Sequence, residues 1–175
     1  MIVALLIIIA MGIGISIVKW SLLNGISPMP TSIKAKKTLM DSLPSDVTGT
    51  IYELGAGWGT LAFALARRYP RSQVIAYETS PIPYYFCRGV QWILRIQNLT
   101  VIRKDFWNIS LSGAAMVVCY LYPGAMHRLS QKFKDELAPK TLIISNTFAL
   151  SGWTPEKVFI VNDLYRTKNY HYFIE

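Results

Sequence analysis

The first eighteen residues, MIVALLIIIAMGIGISIV, are apolar or small and carry no charge. No later stretch of the chain is as apolar for as long. As a helix rising ~1.5 Å per residue, the run would be ~27 Å long, close to the ~30 Å hydrocarbon core of a bilayer. Lys19 and Trp20 follow as an interfacial pair. A cleaved signal peptide would need a basic stretch ahead of the apolar run and a small-residue cleavage site before Lys19, and neither is convincing here. The pattern therefore predicts an uncleaved transmembrane anchor and interface over residues 1–23.

Beyond the anchor the periodicity changes. Asn24–Thr31 (NGISPMPT) reads as a Gly/Pro linker over 24–31. Ser32–Leu43 has a part-apolar face at helical spacing, set by Ile33, Leu39, Met40 and Leu43. From there short apolar strands alternate with amphipathic helices. Strands are predicted at 50–52, 73–78, 99–103, 115–121 and 141–147. Helices are predicted at 60–69, stopped by Pro70; from Ser80-Pro81 to about Ile96; and at 124–137. Two last β-like runs, 157–162 and 170–174, have only residues 163–169 between them, which predicts an antiparallel hairpin. One domain over 32–175 accommodates all of this, and there is no room for a second.

Charge refines the picture. The formal net charge is +8. The cations are scattered, with small groups at Lys34/Lys36/Lys37, Arg67/Arg68/Arg71 and Lys132/Lys134, and no nucleic-acid-binding motif runs through them. A basic domain beside an apolar anchor is expected to face anionic lipid, not nucleic acid. The positives nearest the anchor, Lys19 and then Lys34, Lys36 and Lys37, lie on its C-terminal side. The positive-inside rule places that side in the cytoplasm or an organelle matrix, and the compact domain without a transit peptide favours a bacterial inner membrane. Ala10/Gly14 and Gly12/Ser16 have the spacing of a helix-pairing face, so a homodimer is weakly predicted. Cys87 and Cys119 lie in apolar contexts and read as buried thiols. His127 and His171 are isolated, and no metal site is expected.

Candidate chemistry concentrates at residues 53–60, ELGAGWGT, between the first strand and the helix that follows. Glycines there let the backbone turn sharply and approach a ligand closely, and the helix N-terminus behind them offers free N–H groups. The loop departs from the dinucleotide pattern G-x-G-x-x-G, having Thr60 in the sixth position. Glu53, at the strand end, would repel a pyrophosphate but suits a ligand bearing an ammonium or a sulfonium. Glu78 ends the second strand about twenty residues on, where an acid can accept from a ribose diol. Asp105 follows the third.

Acids at three successive strand ends, together with the glycine loop, resemble class I S-adenosylmethionine (SAM) methyltransferases. The stretches PMPTS (28–32), ELGAGWG (53–59), YLYPGAMHRLSQKFKDEL (120–137) and SGWTPE (151–156) further resemble the small membrane-anchored protein-lysine methyltransferases, among them enzymes acting on the ATP synthase c-subunit and the adenine nucleotide translocase. The family's further acid after the second glycine is replaced here by Trp58. The resemblance implies an α/β fold, a Rossmann-like seven-stranded class I sheet with a terminal antiparallel hairpin behind one N-terminal transmembrane helix. It implies S-adenosyl-L-methionine held by Glu53, Gly55, Ala56, Gly57, Gly59, Thr60, Glu78, Asp105 and Phe106, with Pro30 and Thr31 as a cap. Tyr122 and Pro123, after the fourth strand, and Trp153, after the fifth, are the candidate acceptor-site residues.

Three functions fit these features. The first is lysine methylation of a membrane-associated protein, the second methylation of lipid head groups or small amines, and the third a non-catalytic membrane scaffold retaining the fold. The longer resemblance favours the first.

Overall fold

The computed structural model describes residues 1–174. Helix α1 (Ile2–Asn24) buries none of its side chains, consistent with a sequence that is apolar on every side. It ends at Gly25 in the left-handed conformation. Helix α2 (Ile33–Ser42) starts at Ser32, whose hydroxyl accepts the backbone N–H of Ala35 at 3.2 Å. It turns Ala35 and Leu39 inward.

The remaining elements are β1 (Thr50–Leu54), α3 (Thr60–Arg68), β2 (Gln73–Tyr77), α4 (Pro81–Ile93), β3 (Leu99–Ile102), β4 (Ala114–Cys119), α5 (Pro123–Glu136), β5 (Leu142–Asn146), β6 (Lys157–Ile160) and β7 (Lys168–Phe173). They form one seven-stranded sheet in the order β3-β2-β1-β4-β5-β7-β6. The first five strands are parallel, and β7 is antiparallel to both β5 and β6. The predicted alternation and closing hairpin are therefore both present.

Alternation along the central strands sorts the core into two layers. Ile51, Met116, Val118 and Ile144 face Leu39, Leu61, Leu65 and Cys87 from α2, α3 and α4. Leu54, Val117, Cys119 and Ile143 face Met126, Leu129 and Phe133 of α5, with Tyr172. Both cysteines are buried and unpaired. His171 of β7 is buried too; its Nε2 lies 3.0 Å from the Ser42 hydroxyl and its ring 4.7 Å from Phe159.

Several boundaries differ from the sequence pattern. Helix α4 stops at Ile93 instead of about Ile96, because Arg95 adopts φ 51°. Strand β7 begins at Lys168, two residues early, where Lys168 and Asn169 pair with Ile160 and Phe159. A 3₁₀ turn at Phe106–Asn108 was not foreseen; the Asp105 carboxylate nucleates it by accepting the Trp107 N–H at 3.0 Å. The segment read as a Gly/Pro linker with a cap at Pro30 and Thr31 is tied to the domain: α1 runs through Asn24, and the residues after it cross the carboxyl ends of the strands, burying Thr31.

Candidate active site

Strand order reverses between β1 and β4, and in open α/β sheets the crevice beyond such a point is where ligands bind. A cleft lies there. Its floor is Glu53, Gly55, Ala56 and Gly57, its sides are Glu78, Asp105, Phe106 and Tyr122, and its roof is Leu23, Asn24, residues 26–29 and Thr31.

The loop after β1 is shaped by glycine. Gly55 and Gly57 have φ 79° and 53°, where a side chain is strained. A Cβ on Gly55 would also meet Leu121 at 2.7 Å. The Glu78 carboxylate clamps this loop: one oxygen accepts the N–H of Gly57 at 2.7 Å, the other that of Ser80 at 2.7 Å. Glu78 is thus a backbone clamp as well as a wall of the cleft.

Glu53 is different. It is buried, and its Oε2 has no hydrogen-bond partner. Burial, and next the nearby Glu78 carboxylate, push its pKa up to about 8. An orphaned buried carboxylate at the bottom of a cleft is complementary to a cation.

The roof comes from the end of α1. The Asn24 amide donates to the Ser80 hydroxyl at 3.2 Å and accepts from the Thr79 hydroxyl at 3.1 Å. The Trp20 ring faces the Arg103 guanidinium at 5.8 Å. The Trp58 indole N–H donates to the carbonyl of Pro28, and its ring meets Phe86 edge-on at 5.3 Å. Trp58 is therefore a latch for the roof.

Tyr122 is held from two sides. A Cβ on Gly25 or on Gly124 would come within 2.8 Å of its ring carbons, so the ring lies flush against both glycines. Opposite, Phe106 and Trp107 pack together at 4.7 Å, and Arg128 of α5 lies 4.0 Å over the Trp107 ring. Lys132 holds this loop in place by donating to the carbonyl of Ile109 at 2.7 Å and pairing with Glu136 at 2.6 Å.

Of the residues chosen from sequence, Thr31, Glu53, Gly55, Ala56, Gly57, Thr60, Glu78, Asp105, Phe106 and Tyr122 line one cleft. Pro30, Gly59, Pro123 and Trp153 do not. Gly59 caps α3 and backs onto Phe63 and Cys87. Pro123 is the first residue of α5, where its fixed φ suits the helix start. Trp153 packs edge-on against Tyr172 at 6.0 Å and beneath Lys134, in the core layer on the α5 side. Asn24, Pro28, Tyr120 and Arg128 were missed. Arg128 had a signal, lying about a turn and a half beyond Tyr122 on a helix that starts at the cleft.

The architecture is that of a class I methyltransferase. It superposes on an RNA methyltransferase from Salinibacter ruber solved with S-adenosyl-L-homocysteine, with a TM-score of 0.75 and 22% identity, covering 83% of this chain and 94% of that one. A SAM-dependent methyltransferase from Aquifex aeolicus gives a TM-score of 0.61 at 12% identity, covering 80% and 89%. Residues 53–157, more than half of the chain, match the model of the ANTKMT methyltransferase domain, and the chain belongs to that family. Among curated relatives, a protein-lysine N-methyltransferase of Saccharolobus islandicus is 22% identical over 77% of this chain and 84% of its own length. The human lysine N-methyltransferase of the ATP synthase c-subunit is 25% identical over 63% of this chain, which spans only about half (47%) of that protein.

The protein is thus a SAM-dependent methyltransferase. The cleft fits this cofactor on its own evidence. Glu53 turns one unpartnered buried oxygen toward the cleft, where a cationic ligand would favour its charged form, and the glycine turn leaves space that a side chain would fill. No group of His, Cys, Asp and Glu suited to a metal occurs among the described residues.

Proposed function

We propose that this chain is a membrane-anchored N-methyltransferase that modifies lysine side chains of a membrane-associated protein, with its catalytic domain on the cytoplasmic face of the membrane. One observation supports this reading above the others: the end of the apolar helix forms the roof of the cofactor cleft. A domain mounted this way keeps its cleft close to the membrane surface, where the effective concentration of a co-resident acceptor is high. The names of the lysine-modifying relatives point the same way at low identity.

Bound SAM supplies an activated methyl group on a sulfonium centre, so the protein's task is alignment and exclusion of water. Glu53 would face its cationic part, the glycine turn after β1 would leave room for its chain, and Phe106 would pack beside its base. Tyr122 and Tyr120 line the cleft at the end of β4 and leave an aromatic wall for the incoming amine. Lysine near pKa ~10.4 is protonated at neutral pH and must shed that proton before it can act as a nucleophile. Desolvation against such a wall lowers the amine's pKa, and aromatic faces hold the charged form until then. The deprotonation is assigned to solvent; no side chain here is placed as a general base.

The test is to incubate full-length protein and Glu53→Ala with methyl-labelled SAM and membranes from a strain lacking the gene, then separate protein from lipid. Label on lysine of a membrane protein, lost with the variant, is the expected result. Label in lipid alone would replace this reading with head-group methylation. SAM binding without any label would favour the scaffold.

A further inference from the structure

Helix α4 carries an apolar face that the rest of the chain leaves largely exposed; only Phe86, edge-on to Trp58, has an aromatic neighbour from another element. Tyr85 (64% exposed), Phe86 (49%), Trp92 (81%) and Ile93 (69%) lie on one side of it, at helical spacing. The opposite side, with Pro83 and Cys87, is buried against the sheet. Large aromatics in solvent along a whole helix are unusual for a surface that meets only water.

Two further observations indicate what covers this face. The first is charge. Between Glu78 and Asp105 the chain has no acidic residue but has Arg88, Arg95, Arg103 and Lys104. Arg88 and Arg95 flank the apolar face, and with Trp92 they line a shallow groove at the end of α4. The second is continuity. Helix α4 begins at Pro81, directly after Thr79 and Ser80, the residues that hold Asn24. The apolar face therefore starts where α1 meets the domain. An exposed stripe of Trp, Tyr and Phe with arginines at its margin and no acid is the composition of a helix that lies in the membrane interface.

We propose that α4 rests on the surface of an anionic bilayer, with Tyr85, Phe86, Trp92 and Ile93 at headgroup level and Arg88 and Arg95 on lipid phosphates. This rests on the anchored reading above. The domain then has two attachments, α1 through the membrane and α4 along it. Two attachments fix its tilt, so the cleft faces the bilayer surface at one angle, whereas a domain swinging on a tether would present it at many.

The test uses the full chain carrying a single environment-sensitive fluorophore on Trp92→Cys, or on Tyr165→Cys as a control. Tyr165 is 86% exposed, just ahead of β7 near the opposite edge of the sheet. The natural cysteines are buried and escape the label. Each labelled protein is reconstituted into vesicles of phosphatidylcholine and phosphatidylglycerol, floated on a density gradient, and exposed to lipid bearing a nitroxide near its headgroup. Both must show the same thermal stabilisation by SAM as the unlabelled parent, measured alongside.

The expected result is loss of most of the emission at position 92 and little at 165. Arg88→Glu with Arg95→Glu, or omission of phosphatidylglycerol, should restore emission at 92 while the protein still floats. Equal, weak quenching at both positions in floating protein would overturn the α4 proposal and leave the anchor intact. A disulfide between two copies of unlabelled Trp92→Cys, formed with a mild copper oxidant, together with no quenching of the labelled protein, would also overturn it and assign the face to a second copy. Protein that fails to float would overturn the anchored reading itself, before any fluorescence is read.

Discussion

Asn24 and Ser80 are joined side chain to side chain at 3.2 Å although 56 positions separate them. One is the last residue of the apolar helix, the other the residue ahead of α4 on the rim of the cleft. Asn24→Leu removes this bond and the one from Thr79. Two neutral hydrogen bonds at about 1 kcal/mol each correspond to roughly a tenfold or greater loss of SAM affinity, if both act on the closed cleft. The change should appear in calorimetric titration with SAM, while the melting temperature of the unliganded protein shifts little. A lower melting temperature with unchanged affinity would mean that Asn24 only supports the fold.

Gly25 offers a steric counterpart. It has φ 70°, and any Cβ would enter the Tyr122 ring. Gly25→Val should displace the ring, reducing methyl transfer by roughly tenfold or more, since small misplacements in an aligned reaction are costly. Gly25→Val should add a smaller loss to Tyr122→Ala than it causes in the parent, because the clash is gone and only the backbone strain at φ 70° remains. Additive losses in the double variant would show that the two positions act separately.

Glu53 makes cofactor binding sensitive to pH. Its carboxyl is pushed up to about 8 by burial and by Glu78, so between the ordinary carboxylate value of 4.5 and about 8 the folded, unliganded protein holds a proton that the unfolded chain does not. From this group alone, stability of the unliganded protein falls as pH rises through that window. A cationic ligand reverses the preference by favouring the carboxylate. SAM affinity should therefore rise from about pH 6 to about pH 8 relative to Glu53→Gln, in which the ligand titrates but residue 53 does not. Loss of the charged partner itself should weaken binding at pH 8 by roughly 10- to 100-fold. Parallel pH profiles for the two proteins would remove Glu53 from the cation site.

His171 acts at the acid end. Burial, and next the charge on Lys157, hold its pKa down at about 4 instead of 6.5. Below 6.5 the unfolded chain takes up a proton that the folded one refuses, so this contribution to stability is lost as pH falls from 6.5 to about 4. Thermal melts of the unliganded protein should show an acid limb in that range, shallower in His171→Gln. An identical limb in the variant would assign it to carboxylates.

What the sequence revealed and what it hid divide along physical lines. Strand ends with acids and a glycine turn are local signals, and Glu53, Gly57, Glu78 and Asp105 do meet at one cleft because parallel strands bring their carboxyl ends together. Trp153 looked like a wall for the same reason that any aromatic beyond a strand end does. Its loop instead turns it back onto Tyr172, a direction that no local pattern encodes. The roof was legible only through the resemblance, which named Pro30 and Thr31 as a cap; Thr31 lines the cleft and Pro30 does not. NGISPMPT has linker composition, and only contacts with Thr79, Ser80, Trp58 and Tyr122, far along the chain, make it part of the site. The apolar face of α4 was visible as an aromatic-rich helix, but which side faced outward required the sheet.

The order in which this chain is made has a consequence for when it works. The roof residues leave the ribosome before the residues that hold them, which extend to Tyr122. Contacts spanning such distances in sequence form late in folding. On the anchored reading, the helix is already in its bilayer when the last wall arrives. On that same reading the cleft is completed at the membrane, so the enzyme becomes competent only beside its proposed acceptor.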